Sequence, residues 1–341
     1  MSARRFDRQV RFAGLGSAGQ ARLEAGSALI VGCGALGGAL AQSLVRSGVG
    51  RVRVVDRDIV EESNLPRQVL FEPAHLGRPK VEAALETLAR IGGPTRVEGR
   101  ALHVDTDTLP ELARDVELVL DGTDNLSTRY LINDYAVERG IPWVYGGVVG
   151  GAGLVLPVLP GVGACLRCIF PEPAPPGALP TCDTAGVLQP AVAAIAALQA
   201  ACALRLLATP REERAKLPLR LVELDVWNLE SHSLSAARDP ECPCCGKREF
   251  PWLDAPAGAG AVSLCGRNTV QVRPQLAARP DLAEIARRLD GLVEELALHG
   301  GLLVFRSEGV RFTVFPDGRA LLEGTSEIDR ARALYDRVLG S

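Results

Sequence analysis

The glycine-rich stretch ALIVGCGALGGALAQSLV, residues 28–45, constrains the fold more than any other part of the sequence. The apolar residues at its start predict a short buried strand, and the residues after its glycines have helical spacing up to Gly48. The next segment, RVRVVD, alternates as a second strand that ends at Asp56. A right-handed crossover between two such strands puts both in one parallel sheet. The sequence therefore predicts a Rossmann-like α/β domain.

The spacing of the glycines predicts that this turn binds a phosphate compound. Gly32, Gly34 and Gly37 match the pattern GxGxxG, and Asp56 follows nineteen residues after the last of them. Backbone amides at the start of the helix attract phosphate, and the carboxylate accepts hydrogen bonds from ribose hydroxyls. The pattern favours an adenine nucleotide, but it does not separate a nicotinamide dinucleotide from ATP.

Length and charge exclude several classes of protein. The 341 residues carry a net charge of −3, which argues against a general nucleic-acid-binding protein, because a phosphate backbone requires a broad positive surface. The charged amino terminus lacks the apolar core of a secretory signal, so we expect a cytoplasmic protein. The alanine-rich stretch at residues 191–208 contains Gln199 and Arg205, and we expect a buried helix there and no membrane association.

Polar residues beyond the glycine turn favour a triphosphate. Cations spread phosphate charge, and a carboxylate holds magnesium through oxygen. A dehydrogenase would instead need an acid or base beside its hydride pocket, and none of the four histidines has a convincing catalytic context. Lys80 alone would more often be a solvated residue in the first turn of a helix. The residues that together indicate phosphate chemistry are Asn64, Arg67, Gln68, Lys80, Asp124 and Asn125.

The motifs GCGALGG, NLPRQ, GRPK, DGTDN, CLRC and CPCCG, with Asp56, stand in the order and spacing of one known family. Over residues 5–247 the chain resembles the ThiF/MoeB/HesA adenylyltransferases, bacterial relatives of ubiquitin-activating enzymes. The resemblance implies a mostly parallel sheet that continues into antiparallel strands. It also implies ATP-dependent adenylation of the carboxyl-terminal glycine of a small ubiquitin-like sulfur carrier that ends in Gly-Gly.

The resemblance also implies the roles of individual residues. Asp56 would bind the ribose, Asp124 would bind Mg²⁺, and Arg8, in the segment RFDRQVRF, would reach the ATP of the opposite subunit in a homodimer. The phosphates would be bound by Arg67, Gln68 and Lys80, with Asn64 and Asn125 beside them.

Four of the nine cysteines have the spacing of metal ligands. Cys165 and Cys168 form one CxxC pair, and Cys242 and Cys245 form the second, with Cys244 as a surplus thiol. Two such pairs supply four thiolates to a tetrahedral metal without an open coordination position. The sequence therefore predicts a structural Zn²⁺ site that ties the antiparallel strands to the neighbouring loop region.

A long Pro-, Gly- and Thr-rich segment between the first cysteine pair and the alanine helix is predicted to be a functional or disordered loop. It contains Cys182, in LPTCDTAGV, at the place where the resembling family often has a cysteine that takes the carrier as a thioester or disulfide. A nucleophilic thiol needs exposure and a lowered pKa, neither of which can be read from the sequence. Catalysis by Cys182 and its dispensability both stay open here.

Composition shifts divide the chain into three parts. We expect an adenylation domain with its zinc site over residues 1–250, a linker over 251–262, and a small α+β domain over 263–341. In the last part, FPDGRA predicts a hairpin turn.

Two alternatives to an adenylating enzyme stay open: an NAD-dependent oxidoreductase on the same fold, and a catalytically silent scaffold that binds carriers. The sequence does not indicate whether the carrier serves thiamine, molybdopterin, another sulfur product or protein conjugation.

Overall fold

The computed structural model describes residues 5–174, 180–254, 260–263, 268–274, 280–299 and 301–340. The chain folds as two compact units, Met1–Pro256 and Ala257–Ser341. Each unit has its own sheet and its own apolar core.

Unit 1 is built on a sheet with the strand order β3-β2-β1-β4-β5-β6-β7-β8 over the described residues. The first five strands in this order are parallel, and β6 to β8 continue the sheet antiparallel. This mixed sheet confirms the fold class expected from the sequence. The strands are β1 Ser27–Val31, β2 Arg51–Val55, β3 Arg96–Arg100, β4 Leu118–Asp121, β5 Trp143–Val149, β6 Ala152–Val158, β7 Arg220–Asp225 and β8 Glu230–Ser235.

Helices cover both faces of this sheet and leave two separate cores. Short 3-10 helices lie at Glu62–Asn64, Pro73–His75 and Arg211–Lys216. The α-helices of unit 1 are α1 Asp7–Val10, α2 Gly16–Ala25, α3 Ala35–Ser47, α4 Lys80–Ile91, α5 Thr108–Ala113, α6 Leu126–Arg139, α7 Leu166–Ile169, α8 Cys182–Ala185, α9 Gln189–Ala208 and α10 Pro251–Asp254.

Helix α9 is long and apolar enough to cross a membrane by length and composition. In the structure it packs against α3, β5 and β6, and its inward residues, such as Val192 and Ile195, join the core of unit 1. The buried helix predicted for this segment is therefore confirmed. Its one fully buried amide, Gln199, is bonded to the sheet.

The register of the parallel strands brings three chain segments together at one edge of the sheet. Val31, at the end of β1, pairs with Val55 of β2 on one side and with Asp121 of β4 on the other. The residues that follow these strands therefore leave the sheet side by side, since the carboxyl ends of parallel strands share an edge. This is the edge at which open α/β sheets bind ligands.

Over its described residues, unit 2 is a second, antiparallel sheet that shares one apolar core with two helices. Its strand order is β11-β12-β13-β14-β10-β9 in the part of unit 2 that is described. The predicted hairpin is confirmed, because β13 and β14 pair antiparallel across the FPDGRA turn. The elements are β9 Gly260–Ser263, β10 Thr269–Arg273, α11 Leu282–Leu289, β11 Glu294–His299, β12 Leu302–Ser307, β13 Val310–Val314, β14 Ala320–Glu323 and α12 Ile328–Leu339.

Candidate nucleotide site and cysteine cluster

The glycine turn between β1 and α3 is closely packed against the loop that follows β4. A Cβ on Gly37 would lie 1.8 Å from the carbonyl oxygen of Gly32, and one on Gly32, whose φ is +91°, would lie 2.6 Å from the carbonyl oxygen of Gly122. Gly34 is the N-cap of α3 and has only the Gln68 Nε2 atom, at 3.8 Å, near its own Cβ position. Two of the three glycines thus permit packing, and Gly34 leaves the start of α3 open to a ligand.

Asp56, directly after β2, is connected to the glycine turn by a hydrogen bond. Its Oδ2 accepts from the backbone N–H of Cys33 at 2.6 Å, and its Oδ1 accepts from the N–H of Asp58 at 2.7 Å. Burial raises the pKa of the Asp56 carboxyl, and the Lys80 ammonium opposes that shift. The carboxylate therefore lies beside the turn, as a ribose-binding group in this fold must.

Lys80, the first residue of α4, is buried rather than solvated. Its side chain is 4% exposed, and its Nζ lies 3.4 Å from Oδ2 of Asp58. The interpretation of Lys80 as an ordinary surface residue of a first helical turn is therefore wrong. A buried ammonium at this edge supplies a positive charge in a medium that screens it weakly.

The NLPRQ segment forms a turn beside the glycine loop. Asn64 is fully buried, and its Oδ1 accepts from the N–H of Glu61 at 3.2 Å, so it fixes the turn itself. Gln68 is 4% exposed, and its buried Oε1 has no hydrogen-bond partner among the described residues. Arg67 is half-buried, and its guanidinium donates to the carbonyl of Ser63. The unsatisfied amide oxygen of Gln68 marks a place where a bound group would complete the structure.

The loop after β4, residues 121–125, carries the candidate magnesium ligand. Asp124 is exposed at the sheet edge, whereas Asn125 is the N-cap of α6 and accepts from the N–H of Thr128 at 3.0 Å. A Cβ on Gly122 would lie 2.7 Å from the Cα of Gly37, so this loop adjoins the glycine turn. The structure thus brings this loop, the glycine turn and Asp56 to one edge.

Three polar side chains lie behind this edge, and two of them, Arg129 and Gln199, belong to none of the motifs. Asp121 is fully buried and forms an ion pair with Arg129 at 3.0 Å. Gln199 donates to the carbonyl of Asp121 at 2.8 Å from helix α9. Gln199 stands out in the sequence only as a polar residue within an apolar helix, whereas Arg129 lies in a helix of mixed composition and does not stand out.

Arg8, on α1, lies at the edge of the sheet opposite the nucleotide site. Arg5 donates to the carbonyls of Ile91 and Gly92 at the end of α4, and the Phe6 ring packs against Gly48 at the end of α3. Helix α4 begins at the nucleotide edge, and its twelve residues span about 18 Å. The helix that carries Arg8 is therefore far from Lys80 within one chain.

The four cysteines predicted to bind a metal come together in space. Their sulfur atoms all lie within 4.8 Å of one another. The Cys165 and Cys242 sulfurs are 3.6 Å apart, those of Cys168 and Cys245 are 3.3 Å apart, and those of Cys165 and Cys168 are 3.8 Å apart. A tetrahedral zinc thiolate with Zn–S bonds of about 2.3 Å has sulfur–sulfur edges of about 3.8 Å. The cluster therefore has the donor set and the size of a closed zinc site.

Cys244 lies beside this cluster with different partners. It is fully buried, and its sulfur accepts from Nδ2 of Asn133 at 3.2 Å. The Asn133 Oδ1 in turn accepts from the N–H of Leu166 at 2.9 Å, within the CLRC turn. Burial and the neighbouring sulfurs raise the pKa of the Cys245 thiol, so four thiolates at this place require a cation. Cys244 is thus connected through Asn133 to the turn that carries Cys165 and Cys168.

The backbone of Cys182 lies at the start of the short helix α8, which leads back to the nucleotide edge. Gly186 follows this helix, and its carbonyl accepts from the N–H of Gly150 at 2.9 Å, at the turn between β5 and β6. The side chain of Cys182 is outside the described residues. Its predicted catalytic role therefore stays a prediction.

Comparison with known proteins gives consistent matches over the first unit and beyond. The model of the ThiF family matches residues 6–244. A sulfur carrier protein ThiS adenylyltransferase of Bacillus subtilis is 40% identical over 340 residues, which cover 98% of this chain and 99% of that protein. A sulfur carrier protein adenylyltransferase of Thermus thermophilus is 40% identical over 71% of this chain and 90% of its own.

Among solved structures, the crystal structure of E. coli MccB resembles the chain in fold. The two superpose with a TM-score of 0.63 at 23% sequence identity, over 73% of this chain and 74% of that chain. At this level of identity the likeness shows a shared architecture, which agrees with the mixed sheet of unit 1.

Proposed function

The chain belongs to the ThiF family, and we propose that it uses ATP to adenylate the carboxyl-terminal glycine of a small ubiquitin-like sulfur carrier. The relatives named above are adenylyltransferases that act on sulfur carrier proteins. The full-length similarity to the Bacillus subtilis protein makes a ThiS-type carrier the first one to test. Thiamine, molybdopterin or a related sulfur product would be the destination of the sulfur.

The observation that carries this proposal is the buried ammonium of Lys80 at the same sheet edge as the open start of α3. A nicotinamide dinucleotide needs the glycine turn and Asp56 but no buried cation beside them. A triphosphate needs a buried cation as well as the glycine turn and Asp56, because its negative charge must be balanced at the reacting phosphorus. The unpartnered Oε1 of Gln68 next to Gly34 adds a polar group that a bound nucleotide would satisfy.

In the proposed reaction a carboxylate oxygen of the carrier forms a bond to the α-phosphorus of ATP. The bond between that phosphorus and the bridging oxygen to the β-phosphate breaks, and pyrophosphate leaves with the electron pair. Lys80, Arg67 and Gln68 would hold the phosphates, and Asp56 would orient the ribose. A magnesium ion held by Asp124 would supply neutralisation of the phosphate charge.

We propose that Cys165, Cys168, Cys242 and Cys245 bind one structural zinc ion. The support is the close approach of their four sulfurs, all within 4.8 Å of one another, because four thiolates can fill every position of a tetrahedral zinc site. The site joins the α7 turn to the segment that follows β8, 77 residues away in sequence. Its role would be to stabilise the fold and not to take part in the adenylation.

We further propose a cytoplasmic homodimer in which Arg8 completes the site of the partner subunit. The position of α1 at the far edge of its own sheet supports this, since Arg8 cannot serve its own Lys80 from there. The described cysteines are all free, as expected in a reducing compartment. We propose that adenylation resides in residues 1–250 and that residues 263–341 form an appended module. The segment between them, expected to be a linker over 251–262, begins with helix α10 of unit 1 and ends in strand β9 of unit 2.

The test is exchange of labelled pyrophosphate into ATP in the presence of a ThiS-type carrier that ends in Gly-Gly. Exchange is expected with the full chain and absent when the carrier lacks its last glycine. Substituting Lys80→Ala is expected to lower the exchange rate by about 10²-fold to 10³-fold, because one preorganised charge at the phosphates is lost.

The matched control is Arg90→Ala, which removes a cation from the other end of the same helix, where the side chain is 52% exposed. Arg90→Ala should leave the exchange rate within about twofold of the parental rate. Tight NAD binding together with no response to MgATP would refute the proposed function.

A further inference from the structure

The 121–125 loop, which carries Asp124, is unusually well fixed for a segment at a binding edge. Asp121 accepts from both the N–H and the hydroxyl of Thr123, at 2.9 and 2.7 Å. Gln199 donates to the Asp121 carbonyl from α9, and Asn125 caps α6 at the other end of the loop. The exposed side chain of Asp124 therefore projects from a loop whose flanking residues are held.

Arg129, in the first turn of α6, contacts both this loop and strand β5. Its Nε donates to Oδ2 of Asp121 at 3.0 Å, and its Nη2 donates to the carbonyl of Thr123 at 2.6 Å. The same Nη2 reaches the carbonyl of Gly146 in β5 at 3.1 Å, and the guanidinium carbon lies 5.2 Å from the centre of the Tyr145 ring. One guanidinium thus ties the loop to two strands.

This geometry depends on the shape of arginine. Burial disfavours its charge, but Asp121, Tyr145 and Asp124 raise the pKa of Arg129, so the guanidinium stays charged. A planar fork with five donors can satisfy a carboxylate and two carbonyls at once, whereas a lysine ammonium on a flexible stem cannot reproduce this set. The Asp121 carboxylate is fully buried and would be left uncompensated without it.

We propose that Arg129 is a positioning residue that fixes the 121–125 loop so that the carboxylate of Asp124 is held where the magnesium of the bound nucleotide lies. The inference rests on the proposed function for its metal and on the hydrogen bonds of Arg129 for its mechanism. Residues that orient metal ligands alter metal affinity without contacting the ion. Arg129 contacts the loop backbone and Asp121, and it acts on the nucleotide only through Asp124.

The test compares Arg129→Gln and Arg129→Lys with a matched control, Arg53→Gln. Arg53, in strand β2 of the same unit, has a side chain that is 9% exposed and is paired with Glu98 and Asp115 at 2.7 Å each. The first readout is hydrogen exchange of the loop amides without nucleotide, above all that of Thr123. Exchange is expected to become about tenfold faster in Arg129→Gln and to stay unchanged in Arg53→Gln, because only the former opens the loop locally.

The second readout is the magnesium concentration that gives half-maximal ATP binding, measured by calorimetry. Arg129→Gln is expected to raise this magnesium concentration by about 10-fold to 100-fold. Arg129→Lys is expected to raise it by less, and Arg53→Gln is expected to leave it at the parental value. Equal loss of thermal stability in Arg129→Gln and Arg53→Gln, with loop exchange and magnesium dependence both unaltered, would overturn the inference. If the full chain bound no MgATP at all, the proposed function would fail, and the exchange of the Thr123 amide would still decide the role of Arg129.

Discussion

At the scale of single residues, two glycines of the turn, Gly37 and Gly34, have different physical reasons to be glycine. Gly37 has no room for a Cβ, because that atom would lie 1.8 Å from the carbonyl oxygen of Gly32. Gly34 has room on the protein side, where its only neighbour is Gln68 at 3.8 Å. Gly37 is therefore required by the packing of the fold. Gly34 is required only if a ligand binds at the start of α3.

This difference predicts opposite effects of the same substitution at two positions. Gly34→Ala is expected to leave Tm within about 2 °C, since no protein atom is displaced, and to weaken ATP binding at least about tenfold. Gly37→Ala is expected to lower the free energy of unfolding by about 2 kcal/mol or more, because α3 must move away from the turn. Thermal unfolding and nucleotide calorimetry on both variants check this. Equal stability losses in the two variants would contradict it.

At the scale of elements, the cysteine cluster joins two turns that have little regular structure of their own. The α7 turn supplies Cys165 and Cys168, and the turn after β8 supplies Cys242 and Cys245. Strand β8 is exposed along its whole length, so burial of apolar surface contributes little to holding this part of the sheet. A metal that links both turns would supply the missing stabilisation.

We therefore expect about one zinc per chain in protein purified without chelators. Cys165→Ser is expected to lose that zinc and about 10 °C of Tm, whereas Cys244→Ser is expected to keep the zinc, because the Cys244 sulfur is bonded to Asn133. Metal analysis and thermal unfolding of the two variants measure both effects. Zinc affinity should also fall with decreasing pH, since the ligands must be thiolates. Loss of zinc from Cys244→Ser alone would show that the ligand assignment is wrong.

The sequence predicted elements well where their pattern was local and poorly where neighbours decide them. The βαβ unit and the CxxC pairs were readable because periodicity and spacing carry them. No strand was predicted at β3, Arg96–Arg100, whose glycine and charged residues form a strand only because β2 pairs with it. No strand was predicted at β11 either, since the Glu, Leu and Ala residues of Glu294–His299 favour a helix in isolation.

The same distinction holds for the candidate site. Asp56, Lys80 and Asp124 were found from motif and charge, but the burial of Lys80 could not be inferred from its place in a first helical turn. Arg129 and Gln199 were missed because their partners lie on other elements. These partners are the Asp121 carboxylate and backbone carbonyls of β4 and β5, and contacts of this kind leave no signature in the sequence.

At the scale of the whole molecule, the position of Arg8 has a consequence for assembly. The amino-terminal segment is held by α3 and α4 at the edge opposite the nucleotide site. Its Phe12 ring is 69% exposed and stands next to exposed Arg11, so an apolar and a cationic side chain of this segment are accessible to a partner subunit. A symmetric dimer could carry this arginine-bearing surface to the nucleotide edge of the partner.

Subunit complementation tests this arrangement. Arg8→Ala and Lys80→Ala are each expected to abolish most pyrophosphate exchange alone. In a dimer that shares sites, a mixed pair has one intact site, formed by Lys80 of one subunit and Arg8 of the other. Random reassociation of equal amounts makes half of the dimers mixed, so about a quarter of the parental activity should return. If Arg8 served its own subunit, mixing would restore nothing, because each site would lack one of the two residues. Sedimentation of the parental chain as a monomer at assay concentration would contradict the arrangement independently.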